Sequence, residues 1–207
     1  MDDGPLIDGE LMPDERLTEV KLAESLQISR TPLRQALQRL ETEGWIRRTS
    51  TGGIRVGSVS ELEIEALYDV RSTLESLMLG QAITRLRKPD ISRLHSNLAA
   101  QKRALVDRDF LATADLSEAF HREIWQMSYN NVCIDFLELI NDRTKRYRRI
   151  AFGGPANFGQ GVMEHEQILG RISSRDAKGA QELLVNHIEH SRSAVKSAFL
   201  NWERSSN

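Results

Sequence analysis

Apolar residues recur at steps of three and four along most of this chain and alternate in only one short region, a pattern that predicts a mainly helical protein with one small hairpin. Within LAESLQISRTPLRQALQRLETEG, Leu22 to Gly44, the residues Leu22, Ala23 and Leu26 mark one face of a short helix that Thr18 can cap. Gln27 and Ile28 form a tight connection, and a second helix opens at Ser29 and runs to Glu43. Either Ser29 or Thr31 supplies the capping oxygen, and Pro32 sits in the first turn, where its missing N–H costs no intrahelical bond. Leu33, Leu37 and Leu40 then face a core, which leaves Arg30, Thr31, Arg34, Gln35 and Gln38 on the outer side. Gly44 stops the helix. Trp45 to Arg48 predicts a strand, Ser50 to Gly53 a tight turn and Ile54 to Val56 the returning strand. Two helices followed by a basic hairpin make a winged helix-turn-helix, assigned to residues 1–57. Met1 to Arg16, with Gly4, Pro5, Gly9 and Pro13, reads as an extended lead-in.

Beyond Gly57 the pattern changes to long amphipathic helices with no strand, so residues 58–207 are expected to form an all-α antiparallel bundle. Ser60 with Glu63 forms a capping-box pattern for a helix to about Arg87. Pro89 ends it and Asp90 caps another through about Val106. Asp109 starts a helix to about Met127, and a further one spans about Val132 to Phe152. Gly153 to Gly161 reads as a loop, followed by helices over about Val162 to Ser173 and Asp176 to Trp202.

Composition narrows the function. With 207 residues and 40% hydrophobic content the chain can bury a sizeable core, yet no stretch approaches the roughly 20 apolar residues of a membrane span. No signal or transit pattern opens it, and the single Cys133 excludes an internal disulfide framework, which together predict a cytoplasmic protein. Cys133 reads as a small core residue. The net charge of −2 argues against a protein that coats nucleic acid, but local charge is uneven. Acids crowd the first stretch, from Asp2 to Glu24, whereas Arg30, Arg34, Arg39, Arg47, Arg48 and Arg55 face only Glu41 and Glu43 between Ser29 and Arg55. A confined basic patch on an acidic molecule favours one docking mode on DNA. Arginine can pair bidentately with guanine in the major groove, each good pair giving roughly 1 to 3 kcal/mol of discrimination.

The order of these parts resembles a GntR-superfamily transcriptional regulator of the FadR type, whose C-terminal half is the all-helical FCD ligand-binding domain. The resemblance rests on Ser29-Arg30-Thr31-Pro32-Leu33-Arg34 with Ala36-Leu37 and Leu40-Glu41, and then on YDVRSTLE (Tyr68 to Glu75), AFH (Ala119 to His121), EHEQIL (Glu164 to Leu169) and His187. It covers nearly the whole chain. It implies a bacterial homodimer on double-stranded operator DNA, with Ser29, Arg30, Thr31, Arg34 and the wing glycines Gly52 and Gly53 at the interface. It also implies a divalent metal, Zn²⁺ or Ni²⁺, held by His121, His165 and His187, and a small carboxylate effector that releases the repressor. Neutral imidazoles on three helices suit such ions and leave positions open.

Three departures bear on this expectation. The family's acidic metal ligand, four residues before the first histidine, is Ser117 here; Glu118 is placed to substitute, and Asp115 points away. Gln35 replaces the acid of the usual REAL, and Val20 stands where some members carry a DNA-contacting arginine, so base preference is expected to differ. The family also has a full helix ahead of the segment matching Leu6 to Leu11, where few residues precede it, so a truncated first helix or an internal start is expected. Ser117 and Arg71 are the effector candidates, Arg71 either pairing with Glu75 or meeting the anion. Arg143, Lys145, Arg146, Arg148 and Arg149 read as a solvated face, His190 as a solvated histidine, and His95 belongs to no motif. The rival readings are a metal-dependent enzyme, for which no general base or nucleophile accompanies the histidines, and a metal sensor.

Overall fold

A computed structural model describes residues 15–42, 45–49, 53–57, 60–151 and 155–206, with the backbone alone at 42, 145–151, 155–157 and 202–206. The chain divides into two units, Met1–Ser60 and Glu61–Asn207, and among the described residues forms eight helices and three short strands. The expectations for the lead-in before Glu15, the glycine stop at Gly44 and the turn residues up to Gly52 lie outside the described residues.

In the first unit, β1 (Arg16–Leu17) leads into α1 (Glu19–Ser25) and α2 (Arg30–Thr42), then β2 (Ile46–Arg48) and β3 (Ile54–Val56). Thr18 caps α1 through Oγ1, which accepts the N–H of Lys21 at 3.3 Å. At its far end Gln27 takes the left-handed region, φ 52°, and turns the chain into α2. Leu26 falls past the last turn of α1 and stands exposed, so only Leu22 and Ala23 of the predicted face reach the core. That core is Leu17, Leu33, Leu37, Ile46, Ile54 and Val56, with Leu40 packed against it. The sheet is antiparallel in the order β1-β3-β2, with Leu17 opposite Ile54 and Ile46 opposite Val56. The lead-in thus contributes a strand, because β3 has a second edge whose backbone groups need partners.

The second unit comprises α3 (Glu61–Arg85), α4 (Lys88–Val106), α5 (Phe110–Met127), α6 (Asn131–Ala151), α7 (Pro155–Ser173) and α8 (Ala177–Ser206). Its axis is α3, whose buried residues Ile64, Leu67, Tyr68, Arg71, Glu75, Met78, Leu79, Ala82 and Ile83 step by three and four along one face. It packs against α5, α6 and α8, while α4 packs against α5 and α7. Gly80 leaves room for the Gln181 amide of α8, which donates to the Ser76 carbonyl at 2.7 Å; a Cβ at Gly80 would lie 2.9 Å from its Nε2. At the C-terminal end of α3, Arg175 donates to the carbonyls of Ile83 and Leu86 at 3.4 and 2.9 Å, satisfying acceptors the helix leaves open.

Two boundaries differ from expectation. Asp90 is not the cap of α4 but its third residue: Arg87 is the N-cap and its backbone N–H donates to Asp90 Oδ2 at 2.9 Å. Pro89 fits the first turn of α4 and so does not end the preceding helix, which stops at Arg85. The predicted loop is also largely helical, since α7 begins at Pro155 and carries Gly159 and Gly161. A proline at the first helical position prepays the turn, and burial of Val162, His165, Ile168 and Leu169 outweighs a glycine cost of about 1 kcal/mol each.

Candidate DNA-reading surface and metal centre

On α2, burial of Leu33 and Leu37 turns Arg30, Thr31, Arg34, Gln35 and Gln38 to solvent, and Ser29 is exposed just before them. Gly53 closes the wing beside Thr49, whose N–H donates to the Gly53 carbonyl at 2.8 Å; Gly52 lies outside the described residues. The acids within Ser29 to Arg55 are Glu41 and Glu43; packing of α1 on α2 brings in Glu19 from outside that stretch. Its Oε2 accepts Nε–H of Arg34 at 2.9 Å and its Oε1 lies 3.5 Å from Nη1 of Arg48, which in turn donates through Nε to Glu41 at 3.1 Å. The arginines hold the Glu19 carboxyl below its ordinary range, the bond from Arg34 contributing most.

In the helical unit, His121 on α5, His165 on α7 and His187 on α8 are buried and converge, their Nε2 atoms 3.2 Å apart on all three edges. Each Nδ1 is held from outside. Glu75 Oε2 lies 2.6 Å from Nδ1 of His121, Gln101 Oε1 2.9 Å from that of His165, and Glu164 Oε2 2.7 Å from that of His187. Gln101 is oriented by its own amide, which donates to Asn97 Oδ1 at 2.6 Å, and Asn97 donates to the carbonyl of Leu116 at 3.1 Å. The amide oxygen therefore faces His165.

Those acceptors determine the tautomers. An ionised carboxylate and an amide oxygen only accept, so Nδ1 carries a proton on all three rings, and a neutral ring then presents the lone pair of its Nε2. Burial works against ionisation of Glu75, but the Arg71 guanidinium, 2.5 Å away, and His121 together outweigh it and hold this carboxyl well below the usual range. Burial would likewise raise Glu164, but hydrogen bonds from His187, Gln160 and His190 bring it down to about 2. Burial pushes His121 down to about 4 despite Glu75, and pushes His165 well below its ordinary value, so these rings are neutral at neutral pH. Three Nε2 atoms 3.2 Å apart, facing one another, are an arrangement that could hold a cation. The spacing fits: metal–nitrogen bonds of about 2.0–2.1 Å give nitrogen edges of about 2.8–3.4 Å between octahedral and tetrahedral angles.

Among the described residues the cluster consists of these three histidines without a carboxylate. Glu118, the expected substitute, is buried but pairs with Arg122 at 2.9 Å, and Arg122 also binds Glu138 at 2.7 Å. Asp115 is exposed, and Ser117 is half-buried. Of the two alternatives for Arg71, the structure holds the ion pair with Glu75. His190 is exposed and bonds Glu164 at 2.6 Å, and His95 is exposed. Cys133 packs beside Met78, Trp125 and Leu137. Arg143 is half-buried with Glu63 at 3.8 Å; the side chains of Lys145, Arg146, Arg148 and Arg149 lie outside the described residues. The sequence reading missed Gln101 and the orienting role of Glu164, although Glu164 precedes His165 in a motif it had singled out.

Comparison with known proteins agrees with this division. The family "Bacterial regulatory proteins, gntR family" matches residues 5–56, and the FCD domain family matches residues 66–190. The Nta operon transcriptional regulator of Aminobacter aminovorans is 32% identical over 182 residues, covering 86% of this chain and 82% of that protein. The HTH-type transcriptional repressor GlaR of Escherichia coli K12 is 27% identical over 198 residues, covering 88% and 87%. The solved structure of E. coli McbR/YncC superposes with a TM-score of 0.80 at 21% identity, covering 93% of this chain and 92% of that one, a likeness of fold. No described helix is long and apolar enough to cross a membrane. The chain belongs to the GntR family of bacterial transcriptional regulators with an FCD domain, and is a regulator rather than an enzyme.

Proposed function

We propose that this regulator is a homodimeric repressor that leaves a pseudo-palindromic operator when a small organic acid binds in its helical unit beside a divalent ion. The observation that carries the helical half of this reading is the convergence of three Nε2 lone pairs whose Nδ1 atoms are all engaged outside. His121, His165 and His187 would hold Zn²⁺ or Ni²⁺, and three ligands leave coordination positions that a carboxylate suits. The ion, when bound, supplies positive charge in a buried place. Arg71 and Ser117 are the candidate effector contacts: Glu75 takes Nε of Arg71, so a carboxylate would meet its terminal amino groups, and Ser117 shares a helix face with His121.

On the DNA side, Arg30, Thr31 and Arg34 supply base and phosphate contacts, with Ser29, Gly52 and Gly53 beside them. A second copy of the chain is supported by an uncovered apolar face. Val70 and Leu77 of α3 and Val132, Phe136 and Leu139 of α6 are exposed, and they flank the seam where Leu74 and Met78 pack on Cys133, Ile134 and Leu137. A two-fold dimer reads two half-sites. The likeness to a protein named a repressor supports the sign of regulation. The effector has only to favour the arrangement that does not bind DNA, by about 1 to 3 kcal/mol.

A gel-shift assay tests the reading. The protein should retain a duplex that it selects from a random pool, release it to a small carboxylate in the presence of Zn²⁺ or Ni²⁺, and lose it in Arg34→Ala. Specific binding retained by Arg34→Ala overturns the assignment of α2. Release by the metal alone makes the ion the signal and overturns the effector.

A further inference from the structure

We propose that Glu19 is a positioning residue for DNA reading, which anchors the guanidinium of Arg34 by its Nε so that the outer edge meets the base. This rests on the reading of α2 as the DNA-contacting helix. The alternative is an ordinary surface ion pair, and three features separate the two. Glu19 is the first residue of α1, directly after the Thr18 cap, so its backbone is fixed and its charge sits at the favourable end of the helix dipole. It joins three elements rather than two neighbours: Arg34 of α2, Arg48 of β2 and, through Arg48, Glu41 of α2. Finally, the exposure is graded, with the Glu19 side chain 22% accessible and the Arg34 side chain 65%. The anchor is sheltered and the reader is presented.

The atom used matters. A guanidinium offers five N–H donors in one plane, and a base such as guanine takes two of them, through O6 and N7. Glu19 occupies Nε, which leaves the parallel pair of terminal amino groups for that contact. A side chain already held in one orientation loses less freedom on binding the correct base and is less able to swing onto a phosphate. The same carboxylate repels the phosphates of any sequence. Glu19 thus trades affinity for all DNA against preference for the right DNA, and it holds Arg48 inside the protein's own network.

The test compares the full-length protein with Glu19→Ala, Glu19→Gln, Arg34→Ala and the double variant Glu19→Ala/Arg34→Ala, after circular dichroism establishes folding. The probes are a duplex selected from a random pool by the unaltered protein and a scrambled duplex of equal length, at several salt concentrations. Glu19→Ala should lower the ratio of selected to scrambled affinity about tenfold, tighten scrambled binding and steepen the salt dependence by about one to two counterions. Glu19→Gln keeps an acceptor for Nε and should fall between. Adding Arg34→Ala to Glu19→Ala should lower the ratio no further than Arg34→Ala alone does. An unchanged ratio in Glu19→Ala, or equal loss on both duplexes, overturns the proposal; if Glu19→Ala does not fold, an unchanged ratio in Glu19→Gln does so. Wild-type affinity in Arg34→Ala overturns the underlying reading instead.

Discussion

Glu75 Oε2 lies 2.6 Å from Nδ1 of His121, and Oε1 of the same carboxylate takes the Nε–H of Arg71. One buried acid therefore sets the tautomer of a ring in the three-histidine cluster and neutralises a buried arginine. At neutral pH His121 is uncharged, so Arg71 supplies the charge, and His121 a hydrogen bond, that keep Glu75 ionised.

Replacing Glu75 should separate these two roles. Glu75→Gln replaces one of the two oxygens that Arg71 and His121 use separately with an amide donor and removes the charge, and metal affinity should fall about 10- to 100-fold, as for other outer partners of ligating histidines. Glu75→Ala also strands the Arg71 charge and should cost about 3–5 kcal/mol of stability. Competition against a chromophoric chelator and urea unfolding measure the two. Unaltered metal affinity in Glu75→Gln would remove the carboxylate from the site's design.

Metal should stabilise the folded chain by mass action, by about 2.7 kcal/mol at a hundredfold excess over its dissociation constant. The melting temperature should rise when Zn²⁺ or Ni²⁺ is added to chelator-treated protein. His165→Ala removes one of the three lone pairs and should abolish most of that rise. An equal rise in the variant would place the bound ion elsewhere.

In the metal-free protein, stability should fall as the pH drops below about 6.5. His121 and His165 are neutral in the folded state, with His121 down at about 4 through burial, whereas in the unfolded chain both bind protons near 6.5. Between these values the unfolded state holds more protons, so acid favours it, by up to about 1.4 kcal/mol per pH unit for each ring. Glu75 and Glu164, whose folded values are also lowered, act in the same direction at lower pH. Urea midpoints at pH 7.5 and 5 measure the slope, and a higher midpoint at pH 5 would contradict it.

Phe136→Glu places a charge on the apolar face flanked by Val132 and Leu139. It should convert a dimer to a monomer in sedimentation and weaken binding to a two-half-site duplex more than to a single half-site. Because Phe136 is exposed, the intrinsic unfolding free energy of the helical unit should stay within about 0.5 kcal/mol. A variant that still sediments as a dimer would move the contact elsewhere.

Much of this protein follows from local chemistry in the sequence. The three- and four-residue steps of Leu33, Leu37 and Leu40 determine which face of α2 is buried, and hence that Arg30, Thr31 and Arg34 are presented. The periodicity of α3 and the Thr18 and Asp109 caps are equally local, since a cap bonds within three residues. The motif resemblance named the three histidines. The tertiary structure decided what lies between distant segments. β1 exists because β3 offers an edge, α7 begins at Pro155 because packing outweighs its glycines, and Glu118 pairs with Arg122 and stands outside the histidine cluster. Glu75, Gln101 and Glu164 reach His121, His165 and His187 across 46, 64 and 23 residues of chain, and Glu19 reaches Arg34 across 15. Periodicity reports which way a side chain faces; only the fold decides which partner it meets there.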